Sequence, residues 1–201
     1  MTAAAANALT TQGSAQRGTV AAALDFLASR QHEDGTFSPD WSSSRHHTVF
    51  RAALAAAEDA DAPESSAQRI TARCRRLVLS SQNDDGGWGQ QDGSSSDTSS
   101  TAYALITLTA VGGHQAHEAA CGGAAYLLGR QHPNGSINDG ISDSIGPRPF
   151  GFTVPLLADA FALLALGHLT HRPTSRELAA DNRTGRPTPP GPPAHLARTH
   201  A

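Results

Sequence analysis

The sequence predicts an all-α protein made of three helical hairpins. Three observations carry that prediction. A loop running from glutamine to glycine occurs three times, as Gln31-His32-Glu33-Asp34-Gly35, Gln82-Asn83-Asp84-Asp85-Gly86-Gly87-Trp88-Gly89 and Gln131-His132-Pro133-Asn134-Gly135. The copies stand roughly 50 residues apart, a period that marks a repeat architecture. An apolar pair precedes each glutamine in register: Phe26-Leu27, Leu77-Val78 and Tyr126-Leu127. The flanking segments carry apolar residues at helical spacing, and no alternating run competes with them as a strand.

The elements follow in order. Residues 1–17 are rich in Ala and Thr, lack a period and read as a disordered arm. A helix over about 18–31 places Val20, Leu24, Phe26 and Leu27 on one face, and Asp34-Gly35 stops it with a turn that favours positive φ. A loop with Pro39 and Trp41 leads to a helix over 46–58 with Val49, Phe50, Ala53, Leu54 and Ala57 inward. Ser65 or Ser66 caps a helix over 66–82 that buries Ile70, Cys74, Leu77 and Val78. Arg73, Arg75 and Arg76 sit in its later turns, where cations complement the helix dipole. Asp97 or Thr98 caps the next helix, 98–111, whose apolar residues are Tyr103, Leu105, Ile106 and Leu108. The helix over 115–131 contains Gly122-Gly123. Each glycine costs about 1 kcal/mol of helix propensity against alanine, which points to close packing against a neighbour. A Gly- and Pro-rich loop precedes the last helix, 151–169, with Phe152, Leu156, Leu157, Ala160, Phe161, Leu164 and Leu166 as its apolar set. From 170 to 201 the prolines and polar residues predict a disordered tail, which leaves 18–169 as the repeat domain.

Composition narrows the function. The net charge is −3 and the pI near 6.3, so there is no basic footprint for nucleic acid. Cys74 and Cys121 are too few for a disulfide framework and read as reduced thiols of a cytoplasmic protein. No apolar run is long enough to span a membrane, and the first residues lack the basic and apolar regions of a secretory signal. Peripheral contact with a membrane stays open.

The stretch Gln82 to Gly89 resembles the QW motif of the squalene-hopene and oxidosqualene cyclases, the prenyltransferase/squalene oxidase repeat group. Ser95-Ser96-Asp97-Thr98-Ser99-Ser100-Thr101-Ala102-Tyr103-Ala104-Leu105 is similar to the Ser/Thr-rich cap and Thr-Ala-Trp-Ala-Leu helix that follow that motif. The segments from Tyr126 through Gly135, and from Phe150 to Gly167, resemble the last QW unit and closing helix. The likeness covers about 18–169, with Phe37 and Ile137 standing where the flanking copies usually carry Trp. It implies a partial α/α toroid: three helical hairpins with QW-type loops, out of about six in a complete ring. It also implies that Gln31, Gln82, Gly87, Trp88 and Gln131 are structural clamps, the amide bonding backbone at a helix end and the indole stacking on it. A side-chain amide can satisfy such orphaned groups.

The same resemblance implies class II terpene cyclisation of a squalene-like or polyprenyl substrate through carbocations. That chemistry needs a strong acid and an aromatic wall, where cation–π attraction contributes about 0.5–2 kcal/mol per ring. Phe50, Tyr103 and Phe152 lie near the starts of the presumed inner helices and are the substrate-binding candidates, with core packing as the alternative. The family's Asp-x-Asp-Asp acid is absent, and Asp59-Ala60-Asp61-Ala62 is only a fragment of it. Asp97 is the catalytic candidate, with helix capping as its alternative; Asp143 and Asp159 are further carboxylates to place. His114, His117 and Cys121 share a spacing that suggests a metal, but exposed histidines and a packed thiol explain it as well, and no metal or cofactor is assigned. His46-His47 reads as a solvated helix start. An arc leaves apolar faces uncovered, so self-association or a partner chain carrying the missing toroid half is expected. A non-catalytic module holding an apolar ligand or a protein, or a truncated inactive cyclase, fits the same motifs.

Overall fold

The computed structural model describes residues 1–10, 16–38, 42–60, 63–137, 143–144, 151–152 and 154–171. Pro39, Trp41 and the tail expected beyond 171 lie outside these residues. The elements are α1 (Thr2–Thr10), α2 (Arg17–Arg30), α3 (His46–Ala56), α4 (Ser66–Ser80), α5 (Thr98–Val111), α6 (His114–Gly129), β1 (Asp143–Ser144), β2 (Gly151–Phe152) and α7 (Pro155–His171). The two short strands pair antiparallel, Asp143 opposite Phe152 and Ser144 opposite Gly151.

The helices up to α6 form two layers. In one, α3 lies between α1 and α5; in the other, α4 lies between α2 and α6. Each member of the first layer packs on its successor in the second, α1 on α2, α3 on α4 and α5 on α6. The expected arm over 1–17 is therefore corrected at its start. Residues 2–10 form the helix that opens the first layer, with Ala3 and Ala6 buried. Alanine is the best helix former, and small side chains let α1 approach its neighbours without the large apolar stripe that a periodicity reading requires.

Burial explains why α5 carries no amphipathic pattern. Every residue from Thr98 to Leu108 is buried, as expected of a helix enclosed on all sides. Its cap is Asp97, whose Oδ1 accepts from Ser100 N at 2.8 Å, and α4 is capped by Ser65 Oγ accepting from Gln68 N at 3.0 Å. Phe26 departs from its predicted inward face. It is 47 % exposed, while Val20, Leu24 and Leu27 are buried. Helix α7 buries Ala158, Ala162 and Ala165 and leaves Leu156, Leu163 and Leu164 exposed.

Candidate functional site

The three glutamine loops share one backbone. In each, the residue after glutamine donates to the residue four further on: His32 N to Thr36 O at 2.9 Å, Asn83 N to Gly87 O at 2.9 Å, His132 N to Ser136 O at 2.8 Å. In each, the glutamine Nε2 donates to the glycine carbonyl: Gln31 to Gly35 at 3.0 Å, Gln82 to Gly86 at 2.8 Å, Gln131 to Gly135 at 3.2 Å. The residue before the glycine closes an Asx turn, with Asp34, Asp85 and Asn134 accepting from the backbone N of Thr36, Gly87 and Ser136. Gly35, Gly86 and Gly135 all have positive φ, at 96°, 83° and 90°. That conformation costs an L-residue energy and explains why glycine recurs there.

The middle copy is the most elaborate. Gln82 Nε2 also donates to Ala119 O of α6 at 2.9 Å, so the amide ties the loop to the neighbouring helix. The indole does what the resemblance implied for the amide: Trp88 Nε1 donates to Val78 O, in the last turn of α4, at 2.8 Å. Trp88 N donates to Thr101 Oγ1 at 3.0 Å and Asp97 N donates to Trp88 O at 3.0 Å, which fastens α5 to the same loop. Gly87 is held close as well, since a Cβ there would stand 2.6 Å from Ser96 Cβ. The glycine pair of α6 makes the close approach its cost implied. A Cβ on Gly123 would lie 2.7 Å from the Trp88 ring and 2.8 Å from Leu105, and one on Gly122 would lie 3.0 Å from Gln82 Nε2.

The first copy lacks the indole and uses other contacts. Gln31 is buried and its Nε2 also lies 3.4 Å from Cys74 Sγ. Burial pushes the Cys74 thiol up to about 12. Arg73 Nη1 donates to Gln31 O at 3.1 Å and Arg76 Nη2 to Glu33 O at 2.6 Å, while Arg75 reaches Val111 O. The arginines of α4 thus serve carbonyls at the C-terminal ends of α2 and α5, not those of their own helix. The third copy exposes Gln131 and is braced by Asp159 of α7, whose Oδ1 accepts from Ile137 N at 2.7 Å and from Ser136 Oγ at 3.3 Å. Asp159 therefore holds a loop. Asp143 belongs to β1, and its side chain lies outside the described parts of the structure.

Two of the three aromatic candidates come together. Phe50 and Tyr103 stack with centroids 5.0 Å apart and planes 11° from parallel. Phe161 meets both edge-on, at 5.7 Å and 4.8 Å, and His47 meets both at 5.5 Å and 5.3 Å. Phe50 and Tyr103 are buried, so this is a closed cluster linking α3, α5 and α7. Phe152 is half-buried in β2. Asp97, the catalytic candidate, has the capping geometry described above.

His46 and His47 are buried, which corrects the expectation of a solvated helix start. Burial, helped by the charge of Arg45, drives the His46 imidazole down to about 3, and neither ring nitrogen has a hydrogen-bond partner. Beside it Arg45 pairs with Asp92 at 2.5 Å, and that hydrogen bond holds the Asp92 carboxyl below its ordinary value. A cavity of about 300 Å³ opens there, lined by Asp34, Ser42, Ser44, Arg45, Thr48 and Asp92 among others. Hydroxyls and charged groups make up most of that lining. His117 and Cys121 approach to 3.9 Å on the surface of α6, and His114 faces Glu118 at 3.6 Å. Among the described residues no three ligand-type side chains gather as a metal site would need, and no helix is long and apolar enough to cross a membrane.

The chain is similar to known proteins. The family model described as squalene-hopene cyclase C-terminal domain matches residues 1–171. Drimenyl diphosphate synthase of Streptomyces showdoensis is 42% identical over 180 residues, covering 86% of this chain and 32% of that protein. The drimenyl diphosphate synthase of Streptantibioticus cattleyicolor is 43% identical over 180 residues, covering 88% and 33%. The structure of ent-copalyl diphosphate synthase from Streptomyces platensis superposes with a TM-score of 0.60 at 24% identity, over 78% of this chain and 29% of that one, a likeness of fold. The chain thus spans about a third of the length of these relatives.

Proposed function

Because this chain belongs to the squalene-hopene cyclase C-terminal domain family, we propose that it forms the clamped, aromatic-walled part of a class II terpene cyclase. The observation that carries the reading is the stacked Phe50–Tyr103 pair in the first helix layer, with α5 fastened to the middle glutamine loop through Thr101 and Asp97. The substrate class is a prenyl diphosphate, in keeping with the names of the two relatives above 40% identity. In such a reaction a proton adds to an alkene of the isoprenoid chain. The resulting cation is passed along as new C–C bonds form, and loss of a proton ends the sequence.

In this reading the Phe50 and Tyr103 rings, stacked on each other here, part when substrate enters and turn a face to the migrating charge, at about 0.5–2 kcal/mol per ring once water is excluded. Phe152 is the third wall residue. Phe161 packs edge-on against both rings. Asp97 keeps its cap on α5, and the protonating acid comes from the part of the cyclase domain that this chain does not span. A partner chain or a second copy completes the cavity.

The test is incubation with farnesyl and geranylgeranyl diphosphate, squalene and oxidosqualene, with and without the remaining portion of a drimenyl diphosphate synthase produced separately. We expect a cyclised product from a prenyl diphosphate only when both parts are present, and loss of at least about tenfold in rate for Tyr103→Ala. Absence of any cyclised product from the combined parts sinks the reading.

A further inference from the structure

We propose that His117 and Cys121, one turn apart on the exposed face of α6, form half of a zinc site that a second copy of this chain completes. The proposal goes beyond the cyclase reading and does not depend on it. Helix α6 buries Ala116, Ala120, Gly123, Tyr126 and Leu127. Its outer side carries His114, His117, Glu118 and Cys121, all exposed. Steps of three and four residues put these side chains on a single stripe. The spacing alone was compatible with exposed histidines and a packed thiol, but the thiol is not packed: Cys121 is exposed. Cysteine is among the most buried residue types, so an exposed one beside an imidazole calls for a reason of its own.

The geometry supplies one. Cys121 Sγ lies 3.9 Å from His117 Nε2. A tetrahedral zinc ion with a thiolate at about 2.3 Å and an imidazole nitrogen at about 2.0 Å sets the two ligand atoms about 3.5 Å apart. A small side-chain rotation therefore lets the pair grip the ion. Sulfur together with imidazole selects zinc over magnesium or calcium, which prefer oxygen. His114 Nδ1 and Glu118 Oε2, 3.6 Å apart on the same stripe, add a carboxylate charge that favours a cation there.

The ligand count names the partner. Closed zinc sites take four protein ligands, and among the described residues no third ligand-type side chain joins the pair. The other two must come from a second surface. Another copy presents the same thiol and imidazole, and a two-fold contact brings them together reciprocally as a set of two cysteines and two histidines. The partly exposed Gly122 and exposed Ala125 beside Cys121 are small enough to let a second helix approach. Each Cys121 thiol gives its proton to solvent as its Zn–S bond forms, so two protons leave per zinc and nothing is oxidised or reduced.

The test titrates the full 201-residue chain with zinc chloride, in a phosphine reductant so that no disulfide forms. Light scattering is expected to show the mass rise to two chains at one zinc per pair, and EDTA should reverse it. Zinc should also shield Cys121 from a thiol reagent, and cobalt in its place should give the visible absorption of a tetrahedral thiolate site. His117→Ala and Cys121→Ser should each weaken the zinc-driven association about tenfold or more, while His114→Ala should leave it unchanged. Because all three positions are exposed, the variants should keep the parent melting curve. Four results overturn the proposal: a mass that zinc does not change; zinc held by single chains; zinc-driven association that survives the loss of both side chains; or association that His114→Ala weakens as much as the other two variants do.

Discussion

Gln82 and Trp88 divide between them the work of joining four elements. The amide holds the loop to α6, the indole holds it to the end of α4, and the Trp88 backbone N–H, through Thr101, holds it to α5. Trp88→Phe removes the indole N–H and leaves Val78 O without it, and we expect a loss of about 1–3 kcal/mol in urea unfolding; Trp88→Ala should cost about 3–5 kcal/mol because it also leaves a cavity. The importance of both residues was legible in the motif, but their division of labour was not, since it depends on which carbonyls face each other across α4 and α6. His46 was misread for the same kind of reason. Two adjacent histidines at a helix start look solvated until α5 covers them. Its folded pKa, about 3, lies below the ordinary 6.5. Between those values the unfolded chain binds more protons, so stability is full above about pH 6.5 and falls as pH drops toward 3. The expected slope is about 1 kcal/mol per pH unit, and His46→Phe should flatten it in melting curves taken from pH 7 to 4. The two thiols should separate in the same way. Cys121 is exposed and Cys74 buried, so a thiol reagent at pH 8 should label one site in the native protein and two in denaturant.

Helix α6 shows how one element can be placed by what it lacks. Gly123 lets the Trp88 ring and Leu105 press against the backbone, and a Cβ has no room there. Gly123→Ala should gain intrinsic helix propensity yet lose about 1–3 kcal/mol overall through overpacking, measurable as a lowered urea midpoint at unchanged slope. That glycine pair was readable in the sequence as a cost needing a reason, and the structure supplies the reason. Helix α1 was not readable. Its alanines carry no contrast between faces, so composition suggested an arm, and only its neighbours reveal that Ala3 and Ala6 are buried. Helices α3 to α6 fell within a few residues of their expected bounds, and Ser65, Asp97, Gly112 and Gly113 mark the ends of the last three. For α7 the apolar residues were plain, but which of them face the core depends on Phe161 and the three buried alanines, and no periodic signal separates those from the exposed leucines.

The described helices form a layered repeat in which each hairpin leans on the next, so the stability of this unit is a sum over neighbours. The period and the middle loop made that architecture legible from sequence alone. What sequence could not give was the packing of the aromatic residues into a closed cluster, because ring contacts among α3, α5 and α7 depend on how far the layers slide. The three loops also differ in how deeply they are held. The middle one is anchored by a buried indole, the first by a buried amide, and the third by an exposed amide with one carboxylate from α7. Local opening follows such differences. Amide protons of Gly135 and Ser136 should therefore exchange with deuterium well before those of Gly86 and Trp88, with Gly35 between, and Asp159→Ala should hasten only the first pair. A chain so graded would be assembled, and would come undone, in a set sequence: its middle is the last part to let go, and the end nearest α7 is the hinge at which an incoming segment finds the backbone most willing to yield.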